Sequence, residues 1–167
     1  NKGNNTVTVS PVNSLNLTGD IDSIKYSHKY APLGFPTNKQ YCIVGYKAQT
    51  VPNKTLTALN FVDIGFNPNN LWVPTVPSRI TIQVPGLYWI GGTCTYPSAG
   101  FPANHELLVA RNGNYSSPYI GTTYNAASVS GIIYLSEGDY VELITSQATG
   151  ATRGVTNYTM FYVCQVL

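Results

Sequence analysis

Turn-forming residues interrupt this chain so often that few long regular elements fit between them. Fifteen glycines and 11 prolines are distributed over 167 residues, and these two residue types are the strongest local breaks in helices and strands. Clear turn sequences are Val-Pro-Asn at 51–53, Asn-Pro-Asn-Asn at 67–70, Asn-Gly at 112–113 and Glu-Gly-Asp at 137–139. A chain divided in this way is typical of short antiparallel strands.

The segments between the turns have the composition of β-strands. Only 10% of residues are charged, against about 25% in an average soluble domain, and the chain has 13 tyrosines. Because β-branched and aromatic residues suit a pleated surface, we predict an all-β, antiparallel fold, either a β-sandwich or a small barrel. The expected strands are 41–49, 55–66, 79–84, 87–96, 105–111, 130–135, 140–145 and 158–167.

A Pro-Gly pair separates two of these strands within the stretch RITIQVPGLYWIGGT, residues 79–93. Pro85 cannot donate a hydrogen bond to a sheet, so one strand ends there. Because neighbouring strand residues point to opposite faces, we expect Tyr88 and Ile90 on one face and Leu87 and Trp89 on the other. Tyr88 is expected in the core.

Two segments are apolar or aromatic on both faces, namely Leu87–Ile90 and Met160–Cys164. An antiparallel strand that is apolar on both sides requires a second buried surface. In a chain of this size we expect that surface to be a subunit interface. The residues predicted to lie in the core or at the interface are Leu87, Tyr88, Trp89, Ile90 and Phe161.

The order of three motifs resembles a known family. Gln83–Ile90 looks like a "V-P-G-x-Y-x-F" segment, Tyr134–Leu143 like an "L-x-x-G-D-x-V-x-L" hairpin, and Tyr158–Leu167 like an aromatic closing strand. Together they resemble the globular head of complement component q, in the tumour-necrosis-factor-like jelly-roll superfamily. The resemblance implies a jelly roll that packs as a homotrimer around a threefold axis. Similar heads occur on bacteriophage fibres and spikes.

The chain divides near residue 40. Residues 1–40 carry apolar residues at irregular spacing among Asn, Ser and Gly, which predicts an extended N-terminal arm that cannot bury its apolar clusters alone. Residues 41–167 form the predicted head. We expect the arm to anchor the protein, either to sister arms or to a virion capsid or tail protein.

The charge pattern excludes several classes of function. A net charge of +2 with scattered basic residues argues against nucleic acid, which requires clustered Lys and Arg. No apolar run reaches the roughly 20 residues of a membrane helix, so we expect no membrane insertion. His105 and Glu106 are adjacent on a strand and face opposite ways. With no catalytic motif in the chain, we expect no catalytic residue and a protein that is not an enzyme.

Metal and disulfide sites are also expected to be absent. The resembled family sometimes holds calcium near its axis, for which Asp63 and Asp139 are the candidates, but no loop is rich in the oxygens that calcium needs. We therefore predict no metal and no cofactor. The three cysteines, Cys42, Cys94 and Cys164, show no zinc or redox spacing and are expected to be buried free thiols.

Three uncharged segments, 97–104, 112–125 and 147–157, are rich in Tyr, Ser, Asn and Gly, which suit recognition surfaces. Tyr115, Tyr119 and Tyr124 are the candidate ligand-binding residues, and sugar faces would suit them; plain solvated loops are the alternative. The sequence thus predicts a trimeric phage fibre or spike head on the virion surface that binds a host-surface receptor or glycan. A capsid decoration protein and a secreted complement-q-like ligand are the alternatives.

Overall fold

The computed structural model describes residues 39–97, 105–115 and 126–166. All regular elements in these ranges are strands. They are β1 (Tyr41–Tyr46), β2 (Thr50–Val51), β3 (Thr57–Ala58), β4 (Phe61–Phe66), β5 (Arg79–Thr81), β6 (Gly86–Thr95), β7 (His105–Arg111), β8 (Ala126–Leu135), β9 (Tyr140–Gln147), β10 (Arg153–Gly154) and β11 (Met160–Gln165). The predicted antiparallel β-sandwich is confirmed.

Two sheets make up the sandwich. The five-stranded sheet has the order β4-β1-β11-β6-β8. In the four-stranded sheet, β9 pairs with β7 along one edge and with β3 and β5 along the other. Two short strands, β2 and β10, pair separately. All of these pairings between named strands are antiparallel, so each sheet can bury one face and present the other.

The core between the sheets follows from the alternation of side chains along the strands. Tyr88, Phe61 and Phe161 are its largest fully buried residues, and the rings of Phe61 and Phe161 stack at 5.7 Å between centroids. Leu143 on β9 and Ile80 on β5 complete it from the four-stranded sheet.

The Pro-Gly pair separates two strands as expected, but the first of them is shorter than the predicted 79–84. β5 ends at Thr81 and β6 begins at Gly86, and the hydroxyl of Tyr88 donates to the carbonyl of Val84 across the break at 2.5 Å. The two strands then lie in different sheets. The break therefore moves the chain from one layer of the sandwich to the other.

The strand expected over residues 55–66 is instead two strands in different sheets, β3 and β4. Between them, the side-chain amide of Gln49 forms the hydrogen bonds that the backbone would otherwise make to a neighbouring strand. It accepts from the backbone nitrogen of Asn60 at 2.9 Å and donates to the carbonyl of Asn60 at 2.8 Å. This distant side chain satisfies the backbone where the chain crosses, which a local pattern does not reveal.

Candidate functional site

The outer face of the five-stranded sheet, turned away from the core, carries a row of apolar side chains. The strand registers place Tyr41 opposite Cys164, Cys164 opposite Trp89, and Trp89 opposite Ile132. Trp89 is 47% exposed and Ile132 is 62% exposed. Tyr134, two residues further along β8, is exposed as well. Four neighbouring strands therefore present one continuous apolar surface, which we call the apolar face.

Two aromatic side chains of the apolar face pack closely on β6. The ring of Tyr162 lies across Gly91, where a Cβ atom would come within 2.6 Å of the Tyr162 Cζ. The same ring meets Trp89 edge-to-face, with 5.4 Å between the ring centroids. Glycine is required at position 91 because any side chain would displace the tyrosine. The other outward positions of β6, β8 and β11 hold Leu, Thr, Ser, Ile, Tyr, Met and Cys but no charged residue.

The residues predicted for core or interface divide between the two faces of the sheet. Tyr88, Ile90 and Phe161 are buried in the core, whereas Trp89 belongs to the apolar face. Leu87 is partly buried beside it. Sequence reasoning missed Ile132 and Tyr134, although the apolar run Ile-Ile-Tyr-Leu at 132–135 carries the same two-sided signal.

A second candidate surface lies on the outer side of the four-stranded sheet, around the turn that follows β7. Asn112 and Gly113 both have positive φ, 51° and 73°, as a type I′ hairpin turn requires. Asn112 holds the turn against β9, because its side-chain oxygen accepts from the backbone nitrogen of Tyr140 at 2.9 Å. Tyr115 follows the turn and is 47% exposed. The other two candidate tyrosines, Tyr119 and Tyr124, lie outside the described residues.

Beside this turn, a buried carboxylate holds an arginine over an aromatic ring. The Oε1 atom of Glu142 accepts from Arg79 Nε at 3.1 Å and from Ser78 Oγ at 3.0 Å. The Arg79 guanidinium carbon lies 4.0 Å from the centre of the Tyr140 ring. The hydrogen bond to Glu142 raises the pKa of Arg79. No local sequence pattern predicts this cluster, because 63 positions separate Arg79 from Glu142.

The carboxylate of Asp139 stabilises a turn, as its position after Gly138 predicts. It accepts from Arg111 Nη2 at 2.6 Å, Asn112 Nδ2 at 2.6 Å and the backbone nitrogen of Ser136 at 2.7 Å. Burial alone would raise its pKa, but these hydrogen bonds and the Arg111 charge outweigh burial and lower the pKa. This carboxylate already has donors on both oxygens, which leaves it poorly suited to bind calcium.

Burial favours the neutral forms of a histidine and two thiols inside the sandwich. Burial lowers the pKa of His105, whose ring meets Tyr96 edge-to-face at 5.0 Å. Burial also raises the pKa of Cys42 to about 12 and that of Cys94 to about 11. Both thiols are free and buried. Cys164 is also free but only partly buried, since it faces outward, which corrects the expectation that all three are buried.

The described residues hold no group of three or more His, Cys, Asp or Glu side chains that is arranged to bind a metal ion. Among the same residues, no helix has both the length and the apolar character needed to cross a membrane. Ion pairs engage Asp139 and Glu142, and a hydrogen bond at 3.3 Å joins Glu106 to Ser146.

Solved structures with a similar fold include a tumour-necrosis-factor-like ligand and a complement globular domain. The crystal structure of murine APRIL at pH 8.5 gives a TM-score of 0.55 at 11% identity, covering 77% of this chain and 100% of that one. The globular domain of zebrafish complement 1qA protein gives a TM-score of 0.55 at 16% identity, covering 77% of this chain and 98% of that one. The fold is a complement-q/TNF-like jelly roll.

The resemblance drawn from the sequence motifs is thereby confirmed at the level of the fold. No protein-family model matches the sequence, and no curated protein matches it. At these identities the jelly roll establishes architecture, and function has to be argued from the surfaces.

Proposed function

We propose that this jelly roll is the head of a homotrimer whose copies pack through the apolar face. The single observation that carries the proposal is the uncharged row from Tyr41 through Cys164 and Trp89 to Ile132. Large contiguous apolar patches are uncommon on monomeric proteins and mark interaction sites. The partners that would cover the apolar face are two further copies of the chain, since these are present wherever the protein is made.

The lack of charge on the apolar face supports self-association. Residues close to a threefold axis meet their own copies across it, so charged side chains there would repel one another. Outward positions on β8 include Ser128 and Ser130, which are small and neutral. Three copies, rather than two, are supported by the typically trimeric family that the sequence motifs resemble.

Light scattering on the purified protein tests the assembly. We expect a mass of three times 18.1 kDa at micromolar concentration. A mass of one chain at that concentration would refute the proposal, because the apolar face would then be exposed in the stable form of the protein.

We further propose that the trimer is a non-enzymatic head on a virion surface and binds a host-surface ligand. The low charge, the abundance of Asn, Thr and Tyr and the apolar clusters in the predicted arm support this role. In such a trimer the apolar face is covered. The turn bearing Tyr115 belongs to the four-stranded sheet, on the other side of each sandwich, and stays accessible to a ligand.

A truncation separates the anchoring role from the binding role. The last two residues of the predicted arm form hydrogen bonds with residues 165 and 166. Lys39 Nζ donates to the carbonyl of Val166 at 3.2 Å. The backbone nitrogen of Gln165 donates to the carbonyl of Gln40 at 2.7 Å. The deletion should therefore stop at residue 38. The shortened protein should remain a trimer that binds host cells but no longer joins particles.

Substitution of Tyr115 by Ala should have the reverse effect, sparing incorporation into particles and weakening cell binding. Gold labelling of the protein on native particles locates it directly. If particles that lack the protein infect normally but burst more easily, the proposed role changes from attachment to shell decoration. Failure to find the protein on any particle would favour a secreted ligand.

A further inference from the structure

The cluster of Arg79, Tyr140 and Glu142 has the organisation of a binding site rather than of a surface ion pair. The carboxylate is buried, with 7% of its side chain exposed, whereas 41% of the Arg79 side chain is exposed. Exposed ion pairs are usually mobile and contribute little. Here Ser78 Oγ and Arg79 Nε both donate to one oxygen of Glu142, and the ring of Tyr140 supports the guanidinium. The arginine is thus fixed in one plane.

The cluster retains unused hydrogen-bonding groups. Nε of Arg79 bonds to Glu142, while its two terminal nitrogens donate to none of the described residues. Oε2 of Glu142 likewise accepts from none of them, and it is not among the described side-chain atoms that are both buried and without a partner. Donors and an acceptor therefore lie side by side at a surface with an immobilised framework, which lowers the entropy cost of binding.

An aromatic side chain flanks these polar groups. The Asn112–Gly113 turn packs on Tyr140, since a Cβ at Gly113 would lie 3.2 Å from the Tyr140 hydroxyl. Tyr115 follows this turn by two residues. Asn114 bridges back to Arg111, and β7 pairs Ala110 with Glu142 of β9, so the chain at Tyr115 runs beside β7 at the level of the cluster. The half-exposed ring of Tyr115 and the donor and acceptor groups of the cluster thus lie at the same end of the four-stranded sheet.

We infer that Arg79, Glu142 and Tyr115 form a binding site for a neutral saccharide. Neighbouring hydroxyls of a sugar both donate and accept, so one can donate to Oε2 of Glu142 while the next accepts from the Arg79 guanidinium. The C–H groups of a pyranose would lie against the ring of Tyr115, whose large apolar surface they would cover.

The charges in the cluster favour a neutral ligand over an acidic one. Glu142 already compensates Arg79 at 3.1 Å, so a carboxylate on the ligand would meet a negative charge beside the positive one. The site lies on the four-stranded sheet, away from the apolar face, and remains open in the proposed trimer. This inference rests on the proposed binding function and names the class of its ligand.

The test is binding of the full-length protein to an array of neutral oligosaccharides and of oligosaccharides bearing a carboxylate. Tyr115→Ala is the first variant, because this side chain is exposed and its removal leaves the core intact. Tyr158→Ala is the matched control, since Tyr158 is 75% exposed and lies beside β11 rather than at the cluster. Arg79→Lys keeps the charge but removes the planar donor.

We expect wild type and Tyr158→Ala to bind the same neutral oligosaccharides. Tyr115→Ala and Arg79→Lys should each bind them about tenfold more weakly or worse, as the loss of a hydrogen bond to a charged group or of an aromatic contact predicts. Light scattering on every variant shows whether the trimer is retained.

Three results would overturn the inference. Binding only to the carboxylated oligosaccharides would show that the ligand is acidic, and equal binding by Tyr115→Ala and wild type would show that the site lies elsewhere. Binding of the wild-type trimer to host cells without binding to any saccharide would refute the saccharide but leave the proposed attachment function standing. If the wild-type trimer does not bind host cells at all, the attachment function is refuted instead.

Discussion

Trp89→Ala is the substitution that most directly tests how the trimer is held together. Trp89 and Tyr88 are neighbours in β6, yet Tyr88 is fully buried in the core and Trp89 is 47% exposed on the apolar face. Trp89 also packs against Tyr162 at 5.4 Å between ring centroids. Truncation at position 89 should consequently weaken the contact between subunits while leaving the interior of each sandwich unchanged.

The exposed area of Trp89 sets the size of the effect. A large aromatic side chain presents about 250 Å², and with 47% of it exposed about 120 Å² remains to be buried between subunits. At about 25 cal/mol per Å² this area corresponds to about 3 kcal/mol per chain. Three chains give about 9 kcal/mol per trimer as an upper bound, because binding also orders side chains. Even half of this value would raise the dissociation constant about a thousandfold.

Sedimentation equilibrium over a dilution series measures this change. Wild type should remain trimeric at concentrations where Trp89→Ala dissociates, and circular dichroism of the dissociated variant should still show the β-sandwich. Tyr115→Ala serves as the control, because Tyr115 is also 47% exposed but follows β7 of the four-stranded sheet. Identical dissociation curves for wild type and Trp89→Ala would refute the assignment of the apolar face as the interface.

Three further outcomes are expected. Tyr88→Ala should lower the free energy of unfolding by about 3–5 kcal/mol, and a melting temperature equal to that of wild type would contradict its place in the core. Burial lowers the pKa of His105, so the stability that the neutral ring contributes is complete above the unfolded-state pKa of about 6.5 and is lost as the pH falls below that value. The free energy of unfolding of His105→Phe, measured in urea, should lack this part of the pH dependence. A pH profile equal to that of wild type would contradict the effect of burial on His105. Iodoacetamide should modify Cys164 faster in a dissociated variant than in the trimer, whereas the buried Cys42 and Cys94 should react in neither form without unfolding, as mass spectrometry of the peptides would show.

The sequence by itself determined the class of fold. Turn residues every few positions left only short strands, and the Pro85–Gly86 pair located a strand boundary that the structure places between Thr81 and Gly86. Period-two alternation placed Tyr88 and Trp89 on opposite faces of β6, because successive side chains in a strand point to opposite sides. These features are local, and a local pattern is sufficient to predict them.

Only the tertiary structure decided which strands are neighbours and which side chains meet. The division of residues 55–66 between two sheets depends on Gln49, whose side chain satisfies the backbone of Asn60 from 11 positions away. The cluster of Arg79 and Glu142 joins residues 63 positions apart. The pairing of Arg79 with Glu142 arises from the register of β5 against β9, which depends on how the two faces of the whole sandwich are buried. Strand alternation fixes the face on which a side chain lies, whereas its partner there is selected by long-range packing.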